Sequence, residues 1–215
     1  MKIVPAILAE DLDSFVERVR QAERFSDYIQ IDITDGKFVD TRSMDPGLID
    51  TIDLTIPFEV HLMVQQPLLS LRAIQSPSLK KAIFHAEAPG DPLKFIKEAS
   101  GRGLATGLAI KPETSLDSIA KLVPYVDGLL FLTVDPGRYG SPFKPEVMKK
   151  LMSARQRFPD TTIGADGGVS LENLRAFYDA GVDYVCIGSR IFLEGKPEEK
   201  YRRFNGYNTR LSRSK

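Results

Sequence analysis

The sequence predicts an α/β fold in which eight parallel strands close into a barrel. The chain has 215 residues, and α/β barrels commonly form one domain of roughly 200–250 residues. Short apolar runs alternate with amphipathic stretches along the whole chain, without a linker or low-complexity segment. Strands that alternate with helices pair in parallel through right-handed crossovers, and eight such units fit a closed (β/α)8 TIM barrel. We expect residues 1–215 to form one barrel domain with a basic, polar, solvated tail from about residue 200.

The predicted strands are the segments richest in apolar and β-branched residues. They cover residues 2–8, 28–33, 58–63, 81–84, 105–110, 128–134, 162–165 and 184–187. Apolar residues spaced by three and four predict helices between them, for example over residues 12–25 and 147–154. Ser170 is the predicted N-cap of a further helix that ends at Gly181. An open doubly wound sheet is the alternative, but no glycine-rich dinucleotide-binding motif follows the first strand.

Composition and charge exclude several classes of function. The 29 Lys and Arg residues balance the 29 Asp and Glu residues, whereas nucleic-acid and membrane-surface proteins usually carry a basic excess. The single cysteine, Cys186, excludes an internal disulfide and a Cys-rich zinc site, and favours a reducing compartment. Glu10 and Asp11 follow too early for a signal sequence. We expect a cytoplasmic protein with no nucleic-acid or membrane partner; a homo-oligomer is left open.

Polar residues end the second and third predicted strands. In a closed parallel barrel the active site lies at the C-terminal mouth, so these residues are the first candidates for function. Alternation places Gln30, Asp32 and Thr34 on one face of the second strand, and His61 on the corresponding face of the third. A loop-capping role for Asp32 and a structural role for His61 are the alternative interpretations. The other histidine, His85, is left open between a functional and a structural role.

Glycines directly after the last two strands predict a phosphate-binding site. Gly167 and Gly168 follow the seventh strand, and Gly188 and Ser189 follow the eighth. Bare backbone amides at helix N-termini after these two strands form the usual phosphate site of such barrels. Tight turns between strand and helix are the alternative explanation of the glycines.

The loop after the sixth strand has the features of a lid. Residues 135–142 form a long connection that contains Gly137 and Gly140, as a closing loop over a ligand would. Arg138 in this loop is either an anion ligand or a cation that faces water.

Six segments of the chain together resemble the ribulose-phosphate 3-epimerase family. They are residues 5–8, 31–39, 60–63, 134–137, 166–169 and 188–189, in the family's order and spacing. The resemblance implies a ribulose-phosphate-binding barrel that holds a divalent metal, Mn, Mg, Zn or Fe, through two histidines and two aspartates. It places three of these ligands on Asp32, His61 and Asp166. It also implies that Met63 and the phosphate-site glycines contact a small phosphorylated sugar.

The chain departs from the family pattern around the expected metal. Gln30 stands where the family has the fourth ligand, a histidine, and its neutral amide oxygen favours Mg²⁺ or Mn²⁺ over Zn²⁺ or Fe²⁺. Lys111 replaces an asparagine and is the alternative source of positive charge. The remaining departures are alanines for two serines at Ala6 and Ala9, Thr34 and Leu132 for two methionines, and Arg138-Tyr139 within the lid.

The resemblance implies an epimerase that inverts C3 of a phosphorylated ketopentose, converting D-ribulose 5-phosphate to D-xylulose 5-phosphate. Inversion next to a ketone needs one group to remove a proton and another to return one, and Asp32 and Asp166 would exchange these roles through an enediolate. The alternatives are another phosphosugar isomerase, aldolase or decarboxylase, and an inactive sugar-phosphate-binding protein. The third strand lacks the lysine of the hexulose-phosphate synthase motif Asp-x-Lys-x-x-Asp.

Overall fold

Eight parallel strands form the centre of the protein in a computed structural model, which describes residues 1–193 and 195–213. Each strand pairs with the next along the chain, and the eighth pairs with the first, so the sheet closes into a barrel. The strands are β1 (Lys2–Leu8), β2 (Ile29–Thr34), β3 (Phe58–Met63), β4 (Leu79–His85), β5 (Ala105–Ile110), β6 (Gly128–Leu132), β7 (Thr162–Asp166) and β8 (Tyr184–Ile187). The predicted (β/α)8 TIM barrel is confirmed.

The strand boundaries follow the predicted ones within two residues. They coincide for β1, β3, β5 and β8. β7 extends one residue further than predicted, because Asp166 pairs with Leu132 on one side and with Cys186 on the other. This extension places the Asp166 side chain at the mouth of the barrel.

Helices surround the barrel on its outer side. They are α1 (Leu12–Ala22), α2 (Pro67–Ala73), α3 (Pro92–Gly101), α4 (Leu116–Ile119), α5 (Val147–Arg157), α6 (Leu174–Asp179), α7 (Ser189–Phe192) and α8 (Pro197–Arg213), with 3-10 helices at Pro46–Thr51 and Val123–Tyr125. α1 begins where Asp11 accepts a hydrogen bond of 2.8 Å from the Ser14 N–H, and it buries Phe15 and Val19. Among the described helices, none combines the length and apolarity needed to cross a membrane.

The helix predicted from Ser170 begins four residues later, at Leu174. Ser170 is not its N-cap, because Asn173 takes that position. The Asn173 side chain accepts the Ser170 N–H at 2.7 Å and donates to the Gly168 carbonyl at 2.9 Å. These bonds stabilise a turn after β7 in place of a first helical turn. The helix ends as predicted, just before Gly181, which has a positive φ of 77°.

The C-terminal residues, predicted to form a solvated tail, instead form α8. Tyr201, Phe204 and Leu211 are buried along one side of this helix, and Asn208 donates to the Met1 carbonyl at 2.6 Å. Spacings of three, four and three between these positions make the helix amphipathic although its overall composition is polar. Ser214 and Lys215, also part of the predicted tail, lie outside the described residues.

The barrel interior combines a small apolar cluster with a buried ion pair. Glu59 and Lys81 lie 3.1 Å apart, and Lys81 also donates to the Tyr184 hydroxyl at 2.8 Å. The Tyr184 ring needs the space that Gly164 leaves, because a Cβ on Gly164 would lie 2.2 Å from Tyr184 Cζ. These groups fill the interior below the mouth, and the polar residues at the strand ends lie above them.

Candidate active site

Three side chains from β2, β3 and β7 converge at the barrel mouth. Asp32 pairs directly with His61 in the β2–β3 register, so both lie at the same depth. The Nδ1 atom of His61 lies 3.0 Å from Oδ1 of Asp32 and 3.3 Å from Oδ2 of Asp166. Asp32 is 7% exposed, Asp166 9% and His61 0%. The two carboxylates therefore contact one imidazole nitrogen in a largely dry site.

Gln30 joins the same two carboxylates from below. Its Nε2 donates to Oδ1 of Asp32 and to Oδ2 of Asp166, each at 2.9 Å. Its Oε1 accepts a hydrogen bond from the Cys186 thiol at 3.1 Å, and burial raises the pKa of that thiol well above its usual value. Cys186 is therefore a neutral donor, and its bond holds the Gln30 amide with the nitrogen toward the carboxylates.

The converging head groups fit a divalent cation. One ligand atom from each of Asp32, His61 and Asp166 lies within 4.8 Å of the other two. Two carboxylates and an imidazole are ordinary ligands of Mn, Fe and Zn ions. The Gln30 amide would present an oxygen to the same point if its side chain turned over, because its oxygen and nitrogen differ little in shape. The three residues thus form a candidate ligand triad, with Gln30 as a fourth neighbour.

A second histidine lies behind the first. His61 Nε2 is 3.0 Å from His85 Nε2, and His85 Nδ1 is 3.0 Å from Oε2 of Glu87. The other carboxylate oxygen of Glu87 accepts the Lys111 N–H at 2.9 Å and the Thr114 hydroxyl. A continuous line of hydrogen bonds therefore runs from the loop after β5 to the two aspartates. The sequence alone leaves the role of His85 open, because only the fold brings its ring against His61.

The buried charges change each other's proton affinities. Burial raises the pKa of Asp32 to about 6, although hydrogen bonds from His61 and Gln30 oppose the change. Burial alone would lower the pKa of His61, but its bonds to Asp166 and Asp32 outweigh burial and raise it to about 9. Burial lowers the pKa of His85 to about 4. His61 is thus an imidazolium between two acids at neutral pH, and His85 is neutral.

A cavity of about 440 Å³ opens above the aspartates. The predicted site residues that line it are Asp32, Met63 and Asp166 on its floor, Gly137, Arg138 and Gly140 in the lid, and Gly167, Gly168, Gly188 and Ser189 after β7 and β8. The structure therefore brings the predicted phosphate end and the predicted acid–base pair to one cavity. Gln30 and His61 lie beneath this lining.

The two positively charged residues predicted for the site, Lys111 and Arg138, lie outside its centre. Lys111 Nζ lies 4.3 Å from the centre of the Phe38 ring and is absent from the cavity lining, and its main-chain N–H holds Glu87. Arg138 lines the cavity, but its side chain is 65% exposed and lies 3.7 Å from Asp40.

Tyr139 is a lid residue whose role sequence analysis missed. Its hydroxyl donates to the Ala6 carbonyl at 2.7 Å and accepts the Leu8 N–H at 2.8 Å, so the lid is attached to the end of β1. Its ring packs on Gly188, where a Cβ would lie 2.3 Å from Cε1 of the tyrosine. Arg18 lies over the ring at 5.4 Å. The sequence feature that indicates a special role for Tyr139 is the departure of residues 138–139 from the family's lid pattern.

The chain is similar in sequence to several known proteins that share one name. The model of the ribulose-phosphate 3-epimerase family matches residues 2–192. The chain is 31% identical over 206 residues to the ribulose-phosphate 3-epimerase of Eremothecium gossypii, covering 88% of this chain and 85% of that protein. It is 30% identical over 204 residues to the enzyme of the same name from Schizosaccharomyces pombe, covering 92% and 90%. The corresponding Mycobacterium tuberculosis protein is 28% identical over 201 residues, covering 91% and 87%.

Solved structures share the fold at low sequence identity. The 3-hexulose-6-phosphate synthase of Salmonella typhimurium superposes with a TM-score of 0.71 at 15% identity, covering 98% of this chain and 100% of that one. Orotidine 5'-monophosphate decarboxylase from Sulfolobus solfataricus has a TM-score of 0.65 at 14% identity, covering 98% and 99%. At these identities the likeness shows a shared barrel fold alone.

Proposed function

The chain belongs to the ribulose-phosphate 3-epimerase family, and from this premise we propose that it interconverts D-ribulose 5-phosphate and D-xylulose 5-phosphate. The family membership makes the protein an isomerase that acts on carbohydrates. The observation that carries the specific proposal is the pair Asp32 and Asp166, which line one cavity from two different strands.

Asp32 and Asp166 are the proposed acid and base. Inversion at C3 requires a proton to leave one face of the sugar and another to arrive at the opposite face. One carboxylate removes the C3 proton, and the other, in its protonated form, returns one; the roles exchange in the reverse reaction. The raised pKa of Asp32 supports this assignment, because a carboxyl group that titrates nearer neutral pH can both accept and donate a proton.

His61 and Gln30 position the two acids. His61 contacts both carboxylates through Nδ1, and Gln30 contacts both through Nε2. In the metal-free protein these N–H groups lie between two like charges that would otherwise repel each other in a dry site. They therefore keep both oxygens directed into one space while leaving the cavity above them open to the sugar.

A divalent cation is the proposed cofactor. Asp32, His61 and Asp166 would hold it, with Gln30 as a fourth ligand through its amide oxygen. When bound, the cation stabilises the negative charge that develops on the sugar oxygens when the C3 proton leaves. The amide in place of an imidazole supports Mg²⁺ or Mn²⁺ over Zn²⁺ or Fe²⁺.

The phosphate group is proposed to bind between the last two strand ends and the lid. Gly167 and Gly168 have positive φ angles of 94° and 61°, which side chains rarely adopt, so bare backbone lines this part of the cavity. Gly188 and Ser189 lie at the start of α7 on the same side, where their main-chain N–H groups and the Ser189 hydroxyl are donors for the phosphate. Tyr139 closes the lid over this end of the cavity.

The decisive experiment is C3 proton exchange of D-ribulose 5-phosphate in deuterated water. The protein is first stripped of metal and then assayed with added Mn²⁺, Mg²⁺, Zn²⁺ or Fe²⁺. We expect deuterium at C3 together with formation of D-xylulose 5-phosphate. Binding of the sugar phosphate without exchange under any of these conditions would identify a binding protein and overturn the proposal.

A further inference from the structure

A line of hydrogen bonds runs behind the candidate ligand triad, from Glu87 through His85 to His61. The chemistry of Glu87, its end group, determines which atom donates at each step. Glu87 ends the line with a carboxylate, which accepts hydrogen bonds and donates none when ionised. We propose that Glu87 and His85 are positioning residues that fix the tautomer of His61, so that Nδ1 presents its lone pair to a cation held with Asp32 and Asp166. This inference rests on the metal site of the proposed function.

Each hydrogen along the line follows from its neighbour. His85 Nδ1 lies 3.0 Å from Oε2 of Glu87, so this nitrogen carries a proton. A neutral His85 then has its lone pair on Nε2, which lies 3.0 Å from Nε2 of His61. Two N–H groups cannot face each other at that distance, so His61 is the donor. When a cation displaces the Nδ1 proton of the His61 imidazolium, the Nε2 proton remains and the lone pair is on Nδ1, the nitrogen between the two aspartates.

Burial leaves the two rings no alternative partners. His61 is 0% exposed and His85 is 1% exposed, so water does not replace either bond. The rings are stacked with centres 5.1 Å apart, and Phe38 covers His85 with its centre at 4.8 Å. Metal-binding histidines commonly donate their second N–H to a fixed acceptor, which orients the ring and raises its basicity. Here the acceptor is His85, and the bond between His85 and Glu87 fixes the orientation of His85 in turn.

Glu87 is itself held from outside the barrel. Its Oε1 accepts the Lys111 N–H at 2.9 Å and the Thr114 hydroxyl. Lys150 of α5 donates to the carbonyl oxygens of Lys111, Pro112 and Thr114 at 2.9, 2.7 and 2.9 Å, which fixes the loop that carries these donors. One carboxylate oxygen is therefore committed to the loop and the other to His85.

This division makes Glu87→Gln an informative substitution. The glutamine oxygen should remain with the Lys111 N–H and the Thr114 hydroxyl, so its NH₂ group should face His85 Nδ1. His85 would then carry its proton on Nε2 and donate to His61, whose lone pair would move away from the aspartates. We expect Mn²⁺ affinity, measured by calorimetry without substrate, to fall about 10- to 100-fold.

The matched control is Glu98→Gln, which removes a carboxylate charge from α3, where Glu98 pairs with Arg72 at 2.8 Å. Its Mn²⁺ affinity should equal that of the unmodified protein. Thermal unfolding of both variants shows whether the fold is kept. Equal Mn²⁺ affinities for a folded Glu87→Gln variant and the control would overturn the proposal.

Nitrogen NMR tests the tautomers in the unmodified protein, because its only histidines are His61 and His85. In metal-free and Zn²⁺-loaded protein we expect His85 to be protonated on Nδ1 alone and His61 to keep its Nε2 proton. A proton on Nε2 of His85 would overturn the positioning role. If the tautomers are as expected but the C3 proton does not exchange, only the proposed reaction is contradicted. If the C3 proton exchanges but the tautomers are the opposite ones, only this inference is contradicted.

Discussion

The side-chain nitrogen of Gln30 lies 2.9 Å from Oδ2 of Asp166, although the two residues are 136 positions apart in the chain. The same nitrogen lies 2.9 Å from Oδ1 of Asp32. Gln30 therefore cross-links the two acids that we assign to proton transfer. The same amide can serve a cation only if its oxygen replaces its nitrogen between the carboxylates, which requires the Cys186 hydrogen bond to rearrange. Cation binding and amide orientation are consequently linked.

Restoring a histidine at this position should strengthen binding of softer metals. For Gln30→His we expect Zn²⁺ affinity to rise at least about tenfold, because imidazole is a better zinc ligand than a neutral amide and needs no amide rotation. Competition against a zinc chelator measures the change. Gln75→His, which adds a histidine at an exposed position, is the control. Equal Zn²⁺ affinities for the two variants would show that Gln30 does not limit metal binding.

Replacing one aspartate at a time should show which face of the sugar each aspartate serves. Asp32→Asn and Asp166→Asn should each lower epimerisation about 10²- to 10⁴-fold, since inversion needs both groups. The remaining carboxylate can still remove and return a proton on its own face. Each variant should therefore exchange the C3 proton of one epimer and not of the other, with opposite preferences.

Deuterium incorporation into both sugars, followed by proton NMR, measures this preference. Asp40→Asn is the control, since the Asp40 side chain is 92% exposed near the lid. Exchange of both epimers by either active-site variant would contradict the assignment of one acid to each face.

The metal-free protein should lose stability as the pH rises from neutral to alkaline. His61 has a folded-state pKa of about 9 against an ordinary value of 6.5, so the folded state holds its proton more tightly. Its contribution is fully present below pH 6.5 and is lost as the pH rises through 9. The expected loss is on the order of 3 kcal/mol for this buried group. Urea unfolding at pH 6.5 and 9.5 measures it.

An NMR titration of the two histidines checks the cause of that loss. His61 should remain protonated until about pH 9, while His85 should remain neutral down to about pH 4. A His61 that titrates near 6.5 in the metal-free protein would show that the two carboxylates do not hold its proton.

A methyl group at Gly164 should destabilise the barrel interior. Its Cβ would lie 2.2 Å from Tyr184 Cζ, and Lys81 holds the Tyr184 hydroxyl in place at 2.8 Å. We expect Gly164→Ala to lower the free energy of unfolding by about 1–3 kcal/mol through overpacking. Gly206→Ala in α8 is the control, since its Cβ meets nothing within 4 Å, and it should stabilise the helix by about 0.5–1 kcal/mol. Denaturant unfolding compares them, and a neutral Gly164→Ala would contradict this packing.

Removing the lid hydroxyl should weaken substrate binding more than turnover. Tyr139→Phe loses the bonds to the Ala6 carbonyl and the Leu8 N–H that attach the lid to β1. Two bonds of about 1 kcal/mol each predict an increase in KM of about 30-fold, with a small change in kcat. Tyr125→Phe, at a residue 59% exposed, is the control. Steady-state kinetics decide, and an unchanged KM for Tyr139→Phe would show that the lid closes without this attachment.

Local periodicity was sufficient to predict the strands and the faces of the site. Successive side chains of a strand point to opposite faces, so residues two apart share a face. The alternation of polar and apolar residues alone therefore placed Gln30 and Asp32 on one face. Helix ends were predicted less well, as Ser170 shows, because the Asn173 side chain competes for the same backbone groups. α8 was missed because its overall polarity obscured the apolar spacing of Tyr201 and Phe204.

The sequence by itself determined the barrel, and its resemblance to the epimerase family predicted Asp32 and Asp166 as the acids and Gln30 in the place of a histidine. Only the tertiary structure decided that Gln30 bridges Asp32 and Asp166 and that His85 lies behind His61. These contacts depend on barrel closure, which brings β7 and β8 back beside β1 and β2 after most of the chain has been used. Periodicity predicts which face of its strand a side chain occupies. The distance between side chains on different strands depends instead on strand register around the whole barrel.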